Sequence, residues 1–122
     1  MTTYKVSELE GKNLDLAVAI CEHVNIVIRP WGIATEHEFE PEGPAHEYDM
    51  RAWKMWLRYG PSQDWEIGGP IIEREFLGVM PISDASWRAG DVDGANGYGQ
   101  TPLVAAMRCY VQSKRGDTVE LP

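Results

Sequence analysis

Apolar residues near the start of the chain recur every three or four positions, which is the spacing of one face of a helix. They are Leu14, Ala17, Val18 and Cys21. Just before them, residues 7–10 read S-E-L-E, a capping box in which two side chains satisfy free N–H groups of a helix start. The pattern predicts helix over residues 7–10 and 13–23, with Gly11 as the break between them.

A second apolar stripe lies near the end of the chain and is more clearly bounded. Its apolar face consists of Leu103, Val104, Met107, Tyr110 and Val111. Thr101 is a favourable N-cap, and Pro102 suits the first helical position because its missing N–H would be unpaired there. Lys114 and Arg115 complement the negative end of the helix dipole, and Gly116 can end the helix. These signals predict a long last helix.

The stretch G-P-S-Q-D-W-E-I-G-G-P-I-I-E-R-E at residues 60–75 contains two Gly-Pro pairs. It predicts a turn followed by a short helical segment that Ser62 caps and that ends at Gly68. Pro70 is then placed to start another helix, on which Arg74 is expected to face water.

Shorter segments with alternating or β-branched residues predict strands. They are residues 24–29, 79–82, 86–89 and 118–121. Residues 50–59 mix both periodicities, so this segment stays open between helix and strand. The mixture of helices with short, local strands predicts an α+β fold. We expect one compact domain over residues 1–122, in which two or three helices cover one face of a small antiparallel sheet.

Two polar segments are predicted to be loops. Residues 32–49 carry six acidic side chains and no Lys or Arg, and repulsion between like charges favours an exposed, mobile segment. Residues 91–100, D-V-D-G-A-N-G-Y-G-Q, predict a flexible loop because three glycines interrupt any periodicity. Gly97 and Gly99 precede the helix start at Thr101, as in a phosphate-binding loop, but the Gly-Lys-Ser/Thr of a P-loop is absent.

Metal ligands could come from either of these loops. In the first, the candidate ligands are Glu36, His37, Glu38 and His46. No rigid element is predicted to hold them at a fixed spacing, which a metal site requires. In the second, counting from Asp91, an EF-hand would need oxygen ligands at positions where this chain has Ala95 and Pro102. The sequence therefore predicts no metal and no cofactor.

The chain is acidic, with 19 Asp and Glu against 11 Lys and Arg and a formal net charge of −8. This balance argues against direct nucleic-acid binding and against binding to an anionic membrane surface, because both need clustered basic residues. No stretch approaches the length of a membrane span, and the first residues lack the apolar core of a signal peptide. Cys21 and Cys109 lie in apolar helical patterns, as buried thiols do in a reducing compartment. We therefore expect a cytoplasmic protein.

No catalytic set is fixed by the sequence, since no serine lies in G-x-S-x-G and the three histidines fall in or near loops. Five Trp residues are many for this length, and they favour aromatic-rich packing or a binding surface. Trp53 and Trp56 lie in the ambiguous segment, nearly opposite its basic residues on a helix. That arrangement could mimic a membrane-surface or nucleic-acid platform, but a partly buried element is the favoured interpretation.

Three separated blocks of the chain resemble a known family. Residues 59–75, Y-G-P-S-Q-D-W-E-I-G-G-P-I-I-E-R-E, and 98–122, Y-G-Q-T-P-L-V-A-A-M-R-C-Y-V-Q-S-K-R-G-D-T-V-E-L-P, look like the two signature blocks of the phage NinX-like family. Residues 5–19, K-V-S-E-L-E-G-K-N-L-D-L-A-V-A, are similar to the family's opening helix. The family is a domain of unknown function in tailed phages and prophages. The resemblance implies a small accessory protein, encoded near recombination and late-regulation genes of lambda-like phages, and it transfers no catalytic residue.

Most residues in these blocks fit caps, turns and core, but Asp64, Trp65 and Arg108 are harder to explain as scaffold. The candidate binding residues are Asp64, Trp65, Arg108, Trp53, Trp56, Gly97, Gly99 and Thr101. We predict a non-enzymatic module that binds a host or phage protein. Two alternatives stay open: an acidic mimic of DNA that acts on a host nuclease or repressor, and an enzyme that binds a small molecule or nucleotide through residues 94–99.

Arg108 lies beside the apolar stripe of the last helix, where an unpaired cation would be costly. We predict that it forms an ion pair with Asp64, or otherwise with Glu73, and that Trp65 packs over the pair. Such a pair would fix the Gly-Pro segment onto the last helix.

Overall fold

The computed structural model of the protein describes residues 1–39 and 53–122. In this part of the chain, the helices are α1 (Gly11–Glu22), α2 (Trp65–Arg74) and α3 (Pro102–Arg115), and a short 3₁₀ turn covers Val6–Glu8. The strands are β1 (Thr2–Lys5), β2 (Val27–Arg29), β3 (Gly32–Phe39), β4 (Trp53–Arg58), β5 (Gly78–Ser83), β6 (Ser86–Gly90), β7 (Asn96–Gly99) and β8 (Thr118–Leu121).

The predicted α+β class is confirmed, but the described strands form three small antiparallel sheets instead of one. β1 pairs with β8, which joins the two ends of the chain. The other two sheets have the orders β2-β3-β4 and β5-β6-β7, so each is built from strands that follow one another in sequence. Strand β1 was not predicted, because T-T-Y-K carries too short a pattern to be recognised without its partner.

Helix α3 is the centre of the core and follows its sequence signals. The Thr101 hydroxyl accepts a hydrogen bond from the Val104 amide at 3.1 Å, Pro102 is the first helical residue, and Gly116 ends the helix at a φ of 84°. Helix α1 and strands β6 and β7 pack against α3. Its buried residues are Leu103, Ala105, Ala106, Met107, Cys109, Tyr110 and Val111.

The start of α1 differs from the prediction. Residues 7–10 do not form a capping box, since Glu10 is the N-cap residue and makes no side-chain hydrogen bond to the helix start. Gly11 begins the helix instead of breaking it, and its positive φ of 55° is a conformation that glycine adopts at little cost. The start of α1 therefore depends on the conformational freedom of Gly11, and the side-chain cap that the sequence predicted is not formed.

The acidic loop predicted for residues 32–49 is wrong over its first part, where β3 extends from Gly32 to Phe39. Glu36 is opposite Trp56 and Ala34 is opposite Arg58 on β4, so this acidic segment is paired with a strand that carries basic and aromatic residues. Ile33 and Ala34 are both buried, and their burial together with pairing to β2 and β4 outweighs the local repulsion. The remainder of the predicted loop lies outside the described residues. Of the ambiguous segment at residues 50–59, Trp53–Arg58 form the strand β4, and residues 50–52 lie outside the described part of the chain.

The flexible loop predicted for residues 91–100 is wrong where β7 forms. Gly97 and Gly99 are opposite Ala89 and Trp87 of β6. A Cβ on Gly97 would lie only 2.2 Å from the carbonyl oxygen of Ala105 in α3, so this strand needs glycine in order to approach the helix. The hairpin of β5 and β6, by contrast, agrees with its prediction.

Helix α2 is continuous from Trp65 to Arg74, so the predicted break at Gly68 and restart at Pro70 are wrong. A glycine is needed at position 68 because this side of the helix packs directly against the backbone of the preceding turn. A Cβ there would be 2.4 Å from the carbonyl oxygen of Pro61. The helix ends before Phe76, which has a positive φ of 54°.

The N-cap of α2 is Asp64, whose carboxylate accepts from the Glu66 amide at 3.0 Å. The predicted cap, Ser62, is buried, and its amide donates to a carboxylate oxygen of Asp15 at 2.9 Å. The chain between Gly60 and Asp64 is thus fixed against α1 before the helix begins.

Candidate functional site

The sheet β2-β3-β4 presents one face on which arginine and tryptophan alternate. Ala34 of β3 is opposite Val27 of β2 and Arg58 of β4. Residues in register, or two apart along a strand, share a face, so Arg29, Trp56 and Arg58 lie on the same face as Ala34. The other face contains Ile33, which is buried in the core.

Both arginines on this face stack on tryptophan rings. The guanidinium carbon of Arg29 is 3.6 Å from the ring centroid of Trp56, and that of Arg58 is 5.1 Å from the ring centroid of Trp31, in the β2-β3 turn. Both distances are within the range of cation–π attraction. Trp31 is 47% exposed and Trp56 is 50% exposed. We call these four residues the Arg–Trp surface.

A cleft of about 730 Å³ separates the sheet β5-β6-β7 from the end of the β1-β8 ribbon. One wall is formed by β7 and by Thr101 at the start of α3, and the other contains Lys5 and Thr118. The charged side chains that line it are of both signs: Lys5 and Arg108 against Glu10 and Asp117.

Two side chains of α3 line the cleft and hold its walls together. The Nε of Arg108 donates to the carbonyl oxygen of Leu9 at 2.8 Å, and its Nη1 donates to that of Tyr98 at 2.7 Å. One turn later, the Gln112 carbonyl accepts from the Asn96 amide at 2.6 Å while its amide group donates to Asp117 at 3.1 Å. Both side chains therefore satisfy backbone groups at the free edge of β7, which protects this edge from pairing with another chain.

The predicted ion pair between Arg108 and Asp64 or Glu73 is wrong. Arg108 uses its donors on backbone carbonyl oxygens, and Asp64 caps α2. A cation beside an apolar stripe needs acceptors, but dipolar carbonyl groups can supply them as well as a carboxylate can. Trp65 is 56% exposed and so does not cover such a pair.

We expect Asp64→Ala to lower the free energy of unfolding by about 1 kcal/mol, through the loss of the helix cap alone. Because Asp64 and Arg108 do not interact, the same loss should appear in the Arg108→Gln background, to within about 0.5 kcal/mol. Urea denaturation of the two single variants and the double variant measures this. A coupling of 1 kcal/mol or more would contradict the separate roles of the two residues.

An ion-pair network joins the three helices on another side of the protein. Arg74 of α2 contacts Glu22 of α1 at 2.6 Å and Glu75 at 3.0 Å, and Lys114 of α3 contacts Glu75 at 2.8 Å. The Tyr110 hydroxyl also donates to Glu22. Burial would raise the pKa of the Glu22 carboxyl, but the hydrogen bonds from Arg74 and Tyr110 outweigh it and hold that pKa below its usual range. Arg74 was predicted to face water; its side chain is 51% exposed and also links α1 to α2 through Glu22.

We expect Glu22→Gln to lower the free energy of unfolding at pH 7 by about 1 kcal/mol. The change weakens three charge-assisted hydrogen bonds, two from Arg74 and one from Tyr110, and partial exposure limits the loss. Since the folded state depresses the pKa of Glu22 from its reference value of 4.5, this stabilisation is complete above that value and is lost as the pH falls through the folded-state pKa. The difference in the free energy of unfolding between wild type and Glu22→Gln should therefore become smaller at acidic pH. Denaturation curves at several pH values test this, with Glu8→Gln on the 3₁₀ turn as the control. A difference that does not change with pH would contradict the assignment.

Asp15 and Ser62 are the buried polar side chains of the described residues. Burial raises the pKa of the Asp15 carboxyl, against the hydrogen bonding of Ser62 and the positive charge of Arg58. The Ser62 hydroxyl is buried beside the Asp15 carboxylate, which accepts from the Ser62 backbone amide. The pair is best explained as the anchor of the turn before α2.

The eight residues predicted for binding do not form one site. Arg108, Thr101, Gly97 and Gly99 border the cleft. Trp56 belongs to the Arg–Trp surface, whereas Asp64 and Trp65 begin α2. Trp53 begins β4, and the prediction for its side chain lies outside the described residues. The sequence reasoning missed Arg29 and Trp31, although the R-P-W-G turn that follows a β-branched run is a signal that could have placed them beside a strand partner.

The described residues give no sign of a metal site. No group of three or more His, Cys, Asp or Glu side chains converges within them, and His46 lies outside that part of the chain. Both cysteines are free thiols, with Cys109 buried and Cys21 partly buried. Of the helices in residues 1–39 and 53–122, none has the length and apolar character needed to cross a membrane.

Comparison with known proteins identifies the family. The family described as "Bacteriophage P22, NinX" matches residues 5–114. Among curated proteins, none matches the chain. The family match includes the opening helix, the segment around α2 and most of α3, and it spans most of the 122 residues. The chain therefore belongs to the phage NinX family.

Proposed function

We propose that this phage-derived accessory protein is a non-enzymatic module that binds another protein through its Arg–Trp surface. The observation that carries the proposal is the half-exposure of Trp31 and Trp56, each stacked with an arginine on one sheet face. Tryptophan and arginine are the residues most enriched at the energetic centres of protein interfaces. Large aromatic side chains that stay half in water are available to gain burial when a partner docks.

The alternative of an acidic DNA mimic receives less support from the described residues. A mimic would need carboxylates left free to face a DNA-binding protein. Several acids instead have structural partners: Glu22 and Glu75 are in ion pairs, Asp64 caps α2, and Asp91 accepts hydrogen bonds within its own turn. If a partner is captured, the salt dependence of its binding separates the two ideas, because a mimic should lose its target steeply as salt rises.

The test is a pull-down from host lysate, before and after phage induction, with four immobilised baits. Wild type and Trp65→Ser should recover the same partner, whereas Trp31→Ser and Trp56→Ser should recover much less. Trp65 is the matched control because it is similarly exposed but lies on α2. Circular dichroism must show that each bait is folded. Failure of the folded wild type to retain any protein above background, or equal recovery by all four baits, would refute the proposal.

A second candidate function, small-molecule binding, is favoured by the cleft next to α3. Its volume of about 730 Å³ is in the range of ligand sites, and Arg108 lies at its wall. The glycines do not offer a phosphate cradle, however. Because Asn96 and Tyr98 direct backbone groups towards α3 side chains, the alternating pattern of an antiparallel strand directs those of Gly97 and Gly99 towards β6.

Titration with nucleotides and with inorganic phosphate tests this second candidate. The signals to follow are the backbone amides of residues 94–104, in heteronuclear NMR spectra. Saturable shifts confined to the cleft would support small-molecule binding. Unchanged signals at millimolar ligand would remove the nucleotide and phosphate alternatives.

A further inference from the structure

We propose that the partner segment bound by the Arg–Trp surface carries carboxylates next to apolar side chains. This inference rests on the proposed function, since it specifies the chemistry of what docks on the same four residues. It follows from the geometry of the stacked guanidinium groups, from the exposed rings beside them, and from the absence of a carboxylate partner for either arginine within residues 1–39 and 53–122.

Stacking uses the flat face of a guanidinium group and leaves the N–H bonds in its plane free. Arg29 lies 3.6 Å from the centre of the Trp56 ring, a distance at which the two flat groups are in contact. Its Nε is buried and has no hydrogen-bond partner among the described residues. Two terminal nitrogens in one plane match the two oxygens of a carboxylate. The tryptophan thus holds the arginine in an orientation suited to accept an acidic side chain.

The two arginines differ from the other strongly engaged cations of the described residues. Arg74 and Lys114 are neutralised by Glu22 and Glu75. Within the same residues, Arg29 and Arg58 are in cation–π contacts and form no ion pair, although the charge of Arg58 acts on the buried Asp15. Glu36, opposite Trp56, is an acid on the same face, but among the described residues neither arginine has an ion-pair partner. In a chain of net charge −8, these two cations on one face form a local site that is complementary to acids.

The overall charge of the protein does not prevent such binding. At physiological salt, charges separated by more than about 8 Å are largely screened, so the net charge acts weakly on a docked segment. A direct contact between an arginine and a carboxylate is much less affected. The distant acids instead reduce the attraction of long polyanions, whose many phosphates extend beyond the site.

Nucleic acid fits this surface less well. Single-stranded nucleic acid binds through a basic groove together with ring faces on which bases stack. Here Arg29 already covers one face of the Trp56 ring. Two cations would neutralise about two phosphates, far fewer than the six to ten contacts typical of strong nucleic-acid binding. An acidic segment with an apolar side chain uses both the free N–H groups and the exposed ring edges.

The inference can be tested with two peptides that differ only in charge, because Glu in one is replaced by Gln, a side chain of nearly the same size, in the other. The probe is the capped peptide G-E-L-E-F-E-G, and its uncharged counterpart is G-Q-L-Q-F-Q-G. Indole N–H signals in NMR spectra report binding, after assignment with single Trp→Phe variants. We expect the acidic peptide to shift the signals of Trp31 and Trp56 but not those of Trp65 and Trp87, and to bind at least roughly tenfold more tightly than the Gln peptide.

Variants of the protein then separate charge from hydrogen-bond geometry. Arg29→Gln together with Arg58→Gln should weaken binding of the acidic peptide by roughly tenfold or more, and the two Arg→Lys changes should restore only part of it. Arg88→Gln is the matched control, because Arg88 is an exposed arginine of β6 that bonds Asn96. The comparison between the two peptides needs no variant, so it holds even if the double variant is poorly folded.

The outcomes distinguish this inference from the proposed function. Equal binding of both peptides at Trp31 and Trp56 would retain the docking surface and overturn its preference for acids. Shifts by oligothymidylate that are stronger than those by the acidic peptide would assign the surface to nucleic acid and overturn the inference. No shift of Trp31 or Trp56 with any probe at millimolar concentration would also overturn it, and the pull-down would then decide whether the surface binds a protein by other chemistry.

Discussion

Replacing Gly97 with alanine is expected to lower the free energy of unfolding by roughly 3 kcal/mol or more, the largest effect of any single methyl group that we foresee. The new Cβ would lie 2.2 Å from the Ala105 carbonyl oxygen and 2.4 Å from the Cys109 amide nitrogen. Both atoms belong to the backbone of α3, so no side-chain rotation can relieve the overlap. Strand β7 and helix α3 must move apart, and the core between them loses its close packing.

Gly78→Ala is the matched control. Gly78 is also a strand glycine of the same sheet, but the nearest atom to its added Cβ is the Gly90 carbonyl oxygen at 3.9 Å, an ordinary contact. Urea denaturation should therefore show Gly78→Ala within about 1 kcal/mol of wild type. A Gly97→Ala protein as stable as Gly78→Ala would show that β7 does not need to lie so close to α3.

The same contact explains why β7 could not be predicted from the sequence. Glycine in a strand normally weakens the local preference, and D-V-D-G-A-N-G-Y-G-Q has all the local features of a loop. The segment forms a strand because it packs against α3, the helix that follows it in sequence. The strand can lie close to this helix because the residues at the contact, Ala105 and Cys109, are small. Helix α3 itself was predictable because Thr101, Pro102 and Gly116 act within one or two turns of the backbone they cap.

For the candidate site, the sequence indicated which residues carry the chemistry but not how they combine. Trp56 was singled out, but as part of a segment that could be helix or strand. Its partner Arg29 is 27 positions away and meets it across β3, so only the strand register of β2, β3 and β4 brings the two together. Arg108 was also singled out, and the cost of an unpaired cation was the correct reason. The acceptors were carbonyl oxygens at the cleft, which no pattern of charged residues could reveal.

Arg108→Gln is expected to lower the free energy of unfolding by about 2 kcal/mol. The guanidinium group donates to Tyr98 in the β7 wall of the cleft and to Leu9, next to Glu10 in the other wall, while its own backbone is in α3. Glutamine is shorter and cannot reach both carbonyl oxygens. Because the site is only partly buried, water can replace some of the loss, which keeps the effect below that of Gly97→Ala.

Two further variants and one local measurement show whether the two hydrogen bonds of Arg108, which bridge the walls of the cleft, are responsible for the expected loss of stability. Arg108→Lys keeps the charge, but a single ammonium group cannot donate in two directions as a guanidinium group does. Its free energy of unfolding should therefore fall nearly as much as that of Arg108→Gln. Lys12→Gln removes an exposed positive charge from α1 and should have little effect. In Arg108→Gln, hydrogen exchange should accelerate at Gly97 and Gly99 more than in β8, because β7 is then held at one edge by Gln112 alone. Exchange that accelerates equally in all strands, or an Arg108→Lys protein as stable as wild type, would show that Arg108 contributes charge and packing, without the bridge between the two walls.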